Sequence, residues 1–472
     1  MNKRKIGKVR TRMAPSPTGE FHIGSLRTLL YNWAYAKKYK GDFIIRIEDT
    51  DRERFVEGAE ERALKVIKDY NLFWDEGPGV GGPYAPYRQS ERLDIYKQWA
   101  QKLIDSGDAY YCFCAKDRLE ELRREQQAKR LVPKYDRRCL GLNKSEVEEK
   151  KKKGSYVVRL KIPDNEIISF KDTLRGEIKT PSKDLNDQVL LKSDGFPTYH
   201  LGVVVDDILM EITNIIRGEE WLPSTPKHVL LYKAFGYKLP YFTHVTVLLS
   251  PDGRGKLSKR HGGVSARHFL NEGYLPEAVL NFLMLLGWAP KNNRELFTLE
   301  EFVEAFDLDG LQISSPTLNR DKLDWMNGEY IRRTQNSKLK TQIWNFYDKK
   351  YPEDRIGEIV PLVKERVRKL SEFESLAGFF FKKPRVDKKM LGKNYRNHLS
   401  LVVEVFTKME KWNNESVNNG LLKLIEDKGF AMGDFFMDLR VAVCGSKVTP
   451  PINESILILG KNETIERLRQ VL

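Results

Sequence analysis

Residues 9 to 49 read as strand, loop, helix, strand, and that unit limits the fold more than any other part of the chain. Val9 to Arg12 is short and suits a first strand. The next segment, Ala14-Pro15-Ser16-Pro17-Thr18-Gly19-Glu20-Phe21-His22-Ile23-Gly24, has the prolines and small polar residues of a loop. A loop of this composition could belong to any protein, but the helix and strand after it are more specific. Leu26, Leu29, Leu30, Trp33 and Ala34 recur at i, i+3, i+4, i+7 and i+8, one apolar helical face that ends near Gly41. Phe43-Ile44-Ile45-Arg46-Ile47-Glu48-Asp49 is then an apolar run closing in carboxylates, as expected of a buried parallel strand with polar groups at its C-terminal edge. Loops at such edges are where doubly wound sheets bind ligands.

A second informative stretch lies far downstream. Pro251-Asp252-Gly253-Arg254-Gly255-Lys256-Leu257-Ser258-Lys259-Arg260-His261-Gly262-Gly263 places basic residues between glycines, the composition of a loop that can move. Lys and Arg together number 81 against 66 Asp and Glu, a formal charge of +15. Excess lysines can be merely solvated, but distributed positive charge favours a polyanionic partner, because it neutralises phosphates and releases counterions. No apolar run is long enough to span a bilayer, and the basic start Met1-Asn2-Lys3-Arg4-Lys5 has no apolar segment behind it. The expectation is a cytoplasmic protein with no membrane role. Its four cysteines do not make a secreted disulfide framework, so the thiols are expected to be reduced.

A length of 472 residues suits about three domains. A Rossmann-like half is expected over residues 1–86, an inserted subdomain over 87–200, the second Rossmann half with the glycine-flanked basic loop over 201–325, and a helical domain over 326–472. Within the insertion, Asp117 to Val132 reads as a helix with Asp117 and Glu120 as a capping box. Lys150-Lys151-Lys152-Lys153, after Glu146, Glu148 and Glu149, reads as a solvated helix end. Beyond Trp325 strand-like alternation is scarce. Leu399, Val402, Val403, Phe406 and Met409 share one helical face, as do Ile465, Leu468 and Leu472.

The residues His22-Ile23-Gly24, Arg46-Ile47-Glu48-Asp49-Thr50-Asp51 and Lys256-Leu257-Ser258-Lys259-Arg260 resemble the two signatures of class I aminoacyl-tRNA synthetases and a motif between them. More narrowly, the chain resembles the bacterial glutamyl-tRNA synthetases. Gly77-Pro78 through Tyr87-Arg88-Gln89-Ser90-Glu91-Arg92 matches in the same order, as do Leu191 to His200, Arg217-Gly218-Glu219-Glu220-Trp221 and Trp325 to Ile331. The fold implied is an α/β Rossmann-like catalytic domain with an inserted acceptor-binding subdomain, followed by an all-α anticodon-binding domain. The helical C-terminal third fits the bacterial branch, since the archaeal and eukaryotic branch carries β-barrels there.

The resemblance implies attack of a glutamate carboxylate on the α-phosphorus of ATP, with Mg2+ held mostly by phosphates. That nucleophile is already ionised, so catalysis should be positioning and stabilisation of phosphate charge. By resemblance, His22, Lys256 and Lys259 are catalytic, and His22, Gly24, Trp221, Lys256, Leu257 and Lys259 bind ATP. Arg12, Ser16, Glu48, Tyr199 and Arg217 bind glutamate, with Glu48 on the α-ammonium and the two arginines on carboxylates. One departure stands out: Tyr199-His200-Leu201-Gly202-Val203-Val204-Val205-Asp206-Asp207 has Val203 where the family usually has Asn, which implies a lost polar contact near the substrate.

Cys112-Phe113-Cys114 and Cys139 share the cysteine spacing of zinc-binding members, but Gly141 stands where those have His. Tyr135 resembles the tyrosine ligand of the related glutamyl-queuosine enzymes. Two alternatives stay open: one structural Zn2+ on Cys112, Cys114, Tyr135 and Cys139, or three free thiols left from a decayed site. Arg366, Arg440, Thr449 and Pro450 match positions that contact anticodon bases, although Lys364, Arg366, Arg368 and Lys369 could also bind phosphates without selectivity. The partners implied are tRNA(Glu) and L-glutamate, on a monomer. The alternatives are a non-discriminating form that also accepts tRNA(Gln), and a catalytically inactive tRNA-binding protein, disfavoured because His22, Lys256 and Lys259 are all present.

Overall fold

A computed structural model describes residues 8–257 and 263–472. They form two compact units, Met1–His268 with Leu280–Asn319, and Phe269–Val279 with Arg320–Leu472.

In the first unit, β1 (Arg10–Met13) runs into the loop of residues 14–22 and then α1 (Ile23–Lys38), which crosses back to β2 (Asp42–Ile45). β1 and β2 are parallel, with Arg10 opposite Asp42 and Met13 opposite Ile45. The expected helical face is the buried one. Leu26, Leu29, Leu30 and Ala34 are sealed from solvent, each contributing about 1.5–3 kcal/mol for a large side chain. Trp33 sits at the margin and donates its indole N–H to Phe73 O at 3.0 Å. His22 caps the start of α1, and Lys37 and Lys38 lie in its last turn, where the helix dipole favours cations.

Next come α2 (Ala59–Asp69), α3 (Leu93–Asp105), β3 (Ala109–Cys112), α4 (Lys116–Ala128), α5 (Lys144–Lys153), β4 (Val157–Leu160), β5 (Ile167–Asp172), β6 (Gly176–Pro181) and β7 (Val189–Leu191). β3, β4 and β7 make an antiparallel sheet of their own. The chain returns through α6 (Tyr199–Leu209), β8 (Asn214–Gly218), α7 (Thr225–Ala234) and β9 (Tyr241–Val245). β8 and β9 are parallel, and Thr213 N–H donates to Arg10 O at 3.0 Å, tying the two halves together beside β1. The hairpin of β5 and β6 does not stay with the insertion. It extends the second sheet in the order β6-β5-β9-β8, with Asp172 opposite Phe242.

Three expectations shift. α4 begins at Lys116, so Ala115 occupies the cap position and Asp117 lies inside the first turn with no capping bond. The helix stops at Ala128 rather than Val132, because Arg130 turns the chain at φ 57. The boundary expected between residues 325 and 326 falls inside a continuous helix, Arg320–Arg333.

The second unit has no strand among its described residues. Its apolar core includes Leu399, Val402 and Phe406 from helix Tyr395–Lys408 and Ile465 and Leu468 from helix Lys461–Val471. Val403 and Met409, the latter just past its helix, pack partly buried against this core as expected, while Leu472 is exposed. His398 Nδ1 meets the buried Asp438 carboxylate at 2.8 Å inside this core. The lysine run at the end of α5 buries nothing, as expected of a solvated end.

Candidate active site

A cleft of about 990 Å³ opens where β1, β2, β8 and β9 end, lined by Arg12, Ser16, His22, Gly24, Glu48, Tyr199, Arg217, Trp221, Lys256 and Leu257 among others. Every residue expected to bind ATP or glutamate lines it, apart from Lys259, which lies outside the described residues.

One wall of the cleft rests on a buried charge network. Arg12 on β1 donates through Nε to Asp207 Oδ1 at 3.1 Å. Arg46, fully buried after β2, reaches Asp207 Oδ1 at 2.8 Å and Glu48 Oε1 at 3.1 Å. Burial alone would push the Asp207 carboxyl up, but the guanidiniums of Arg12 and Arg46 hold it below the usual range. Glu48 goes the other way: burial keeps its carboxyl above the ordinary value against the pull of Arg46 and Arg12. The neighbouring Asp206 accepts from Arg92 Nε, Gln89 Nε2 and Tyr96 OH, each at 2.8 Å. Removing one member of such a network leaves an uncompensated buried charge, at a cost of roughly 3–5 kcal/mol.

Arg217, at the end of β8, is held on several sides. Nε donates to His244 Nε2 at 3.0 Å, Nη1 to Tyr199 OH at 3.2 Å, and Nη2 to Thr225 Oγ1 at 2.8 Å. Tyr199 is itself fixed by stacking on Trp221 at a centroid distance of 4.0 Å. Ser16 stands exposed on the loop after β1. Val203 is 1% exposed and belongs to the apolar core with Leu201, Val204 and Val205.

Elsewhere in the cleft, His22 Nδ1 accepts from Gly24 N–H at 3.0 Å, which puts the imidazole proton on Nε2. A half-buried imidazole with that proton can donate to an anionic oxygen. Lys256 comes after a tight reversal in which Gly253, at φ 70, bonds back to Ser250 O at 2.8 Å; few other residues adopt that conformation. Its ammonium is mostly exposed and pairs with Glu220 Oε1 at 3.1 Å. Leu257 is buried and anchors this stem through its N–H to Leu248 O at 2.8 Å.

Sequence reasoning placed Arg46, Asp206 and Asp207 within motifs but gave them no role, and it passed over Asp172, His228 and His244. One signal was available: two adjacent carboxylates directly after the apolar run Leu201 to Val205 need buried cations.

The cysteine cluster forms a separate centre at the end of β3. The Sγ atoms of Cys112, Cys114 and Cys139 lie within 4.8 Å of one another, with Cys114 and Cys139 3.6 Å apart. Tyr135 OH is 3.4 Å from Cys112 Sγ and 3.3 Å from Cys114 Sγ. Tetrahedral zinc with metal–sulfur bonds near 2.3 Å requires sulfur–sulfur edges of about 3.8 Å and sulfur–oxygen edges of about 3.5 Å. The Cys114–Cys139, Cys112–Tyr135 and Cys114–Tyr135 separations are close to those edges.

In the second unit, Arg366 is exposed just after helix Glu353–Val363, and Arg440 is part-buried on helix Met432–Cys444. Thr449 and Pro450, expected to touch bases, are instead buried: the Thr449 hydroxyl donates to Pro450 O at 2.8 Å, and Lys447 and Val448 are exposed just before them.

A parallel sheet whose strand ends hold a His-capped helix, a lysine loop and a carboxylate-binding arginine cluster defines a class I nucleotide-activating domain. Residues 8–325 match the model for tRNA synthetases class I (E and Q), catalytic domain, and residues 332–472 match the anticodon binding domain. The chain belongs to this class I tRNA synthetase family. It is 41% identical to the glutamate–tRNA ligase of Acinetobacter baumannii (strain AYE), covering 98% of this chain and 93% of that one. It is 39% identical to that of Treponema denticola, covering 98% and 99%. The crystal structure of a glutamate tRNA ligase from Elizabethkingia meningosepticum in complex with its amino acid superimposes with a TM-score of 0.90 at 36% identity, covering 98% of this chain and 99% of that one.

Proposed function

We propose that this chain joins L-glutamate to the terminal ribose of tRNA(Glu) through a glutamyl-adenylate. The observation that carries this reading is that Arg12, Arg217, Tyr199 and Glu48 line the same cleft as His22 and Lys256. Arg217 and Arg12 take the carboxylates of the amino acid, and Glu48, next to Arg46, takes its ammonium. The α-carboxylate oxygen then bonds to the α-phosphorus of ATP and the bond to pyrophosphate breaks. His22 Nε2–H, Lys256 and Lys259 stabilise charge on the phosphate oxygens. Mg2+, held by the phosphates, supplies further charge neutralisation when bound. In the second step a ribose hydroxyl attacks the acyl carbon, loses its proton, and AMP departs.

The cleft wall formed by Thr50, Asp51, Arg52 and Lys192 leads toward the inserted subdomain of residues 87–200, to which we assign the tRNA acceptor end. Arg366 and Arg440 are assigned to anticodon bases, with Thr449 and Pro450 shaping the turn beside them. Cys112, Cys114, Tyr135 and Cys139 hold one Zn2+, which cross-links the end of β3 to the segment around Tyr135. The protein is taken to act as a monomer in the cytoplasm. No helix among the described residues is long and apolar enough to cross a membrane.

Charging of purified tRNA(Glu) and tRNA(Gln) with labelled glutamate tests the reading. Glutamate on tRNA(Glu) alone is the expected result. Glutamate on both makes the enzyme non-discriminating, and tight tRNA binding without charging removes the catalytic assignment.

A further inference from the structure

The side chains behind Arg217 form a directional hydrogen-bond chain. Besides His244, Tyr199 and Thr225, the guanidinium faces His228, whose Nδ1 lies 3.3 Å from Nη1. A guanidinium only donates, so His244 must present a bare Nε2 and His228 a bare Nδ1. The other nitrogen of each ring is equally constrained. His244 Nδ1 faces Asp172 Oδ2 at 2.7 Å, so the His244 proton sits on Nδ1. His228 Nε2 faces His200 Nδ1 at 3.1 Å, so the His228 proton sits on Nε2 and His200 accepts it. The two imidazoles flanking Arg217 are therefore opposite tautomers, and His244 and His228 are both sealed from solvent at 0% and 2% exposure.

Four of the five guanidinium hydrogens are consumed by these partners among the described residues. The fifth is on Nη2, and Arg217 lines the cleft. Because Tyr199 OH accepts from Nη1, its own proton is directed elsewhere, and Tyr199 lines the same cleft.

We infer that His228 and His244 are positioning residues for the amino acid: neutral imidazoles of opposite tautomer that fix the plane of Arg217, so that its last Nη2 hydrogen and the Tyr199 hydroxyl together meet a substrate carboxylate. This rests on the assignment of Arg217 to glutamate. The surroundings keep both rings neutral. Around His228 stand Arg217, His200, Lys227 and Arg12; around His244 stand Arg217, Arg175 and the carboxylate of Asp172. Burial and these cations hold His228 well below its ordinary value, while burial outweighs Asp172 and takes His244 to about 4. A proton added to the bare nitrogen of either ring would remove an acceptor from Arg217 and set a second cation against it.

Two measurements test the inference. In full-length protein labelled with 15N-histidine, long-range proton–nitrogen correlation at neutral pH should show His244 as the Nδ1–H form and His228 as the Nε2–H form. Matching tautomers, or a charged ring at either position, would overturn it, and this reading needs no substituted protein. In kinetics, His228→Ala should raise KM for glutamate roughly tenfold, as expected for loss of one bond to a charged group, with KM for ATP within about twofold. His228→Asn, whose Oδ1 replaces the Nδ1 acceptor, should recover most of that loss. Equal changes in both KM values, or no recovery with Asn, would refute a positioning role. If the unsubstituted protein fails to charge glutamate, the functional reading falls, while the tautomer pattern still decides whether Arg217 is braced in this way.

Discussion

On the proposed reading, glutamate recognition rests most on Arg217, which is held by an aromatic hydroxyl, a threonine and two imidazoles. Arg217→Ala should raise KM for glutamate by about a hundredfold, roughly 3 kcal/mol for a charge-assisted pair, while KM for ATP changes little; pyrophosphate exchange with tRNA present reads both. Acid acts on the same surroundings. A histidine whose folded-state value is depressed refuses a proton that the unfolded chain accepts, so its contribution to stability is intact above the unfolded value of about 6.5 and is lost as pH falls below it. For His244 that loss runs down to about 4. The thermal midpoint should therefore drop between about pH 7 and about pH 5, and a flat profile would contradict the buried neutral rings. That Arg12, His22, Glu48, Tyr199, Arg217 and Lys256 come together in one cleft was legible because each sits in a short local pattern. Their supports were not: Asp207 lies 195 residues from Arg12, and nothing local links His244 to Asp172 or Arg217.

At the scale of elements, α1 carries the clearest agreement between pattern and packing. Leu30→Ala, at a position with no solvent exposure, should cost about 2–5 kcal/mol in denaturant unfolding, through lost burial and the cavity left behind. The starts of the two short strands were legible to within a residue, but β2 ends at Ile45, four residues before the Asp49 expected, since nothing but their partners sets the ends of such strands. The start of α4 was misread for a related reason: the chain leaves the cysteine cluster at Cys114, and this fixes where the helix begins, whatever Asp117 could have capped. That cluster makes its own prediction. Protein purified without added zinc should contain about one equivalent of metal, and Cys139→Ser should release it and loosen the segment around Tyr135 to proteolysis. Well under one equivalent would favour the alternative of free thiols.

For the whole molecule, the charge of +15 matters most for the nucleic-acid partner. KM for tRNA should rise steeply with salt, in step with the release of counterions, while KM for ATP rises far less. Equal slopes would mean that the positive charge is spread over surfaces the tRNA does not touch. The two-part organisation was legible from texture, because a helical third without alternation differs plainly from a chain of short apolar strands. What texture could not reveal is that the hairpin of β5 and β6 joins the sheet of β8 and β9, since one strand of pairing across about seventy residues leaves no local trace. The ion pairs of Arg12 and Arg46 with Asp207 also bear on how the chain is made. During synthesis the N-terminal strands emerge long before residue 207, so a ribosome-bound fragment holds Arg12 and Arg46 with Glu48 already made but with Asp207, the carboxylate the two arginines share, still to come. The buried charge network of the catalytic half is completed only when the chain has returned through α6.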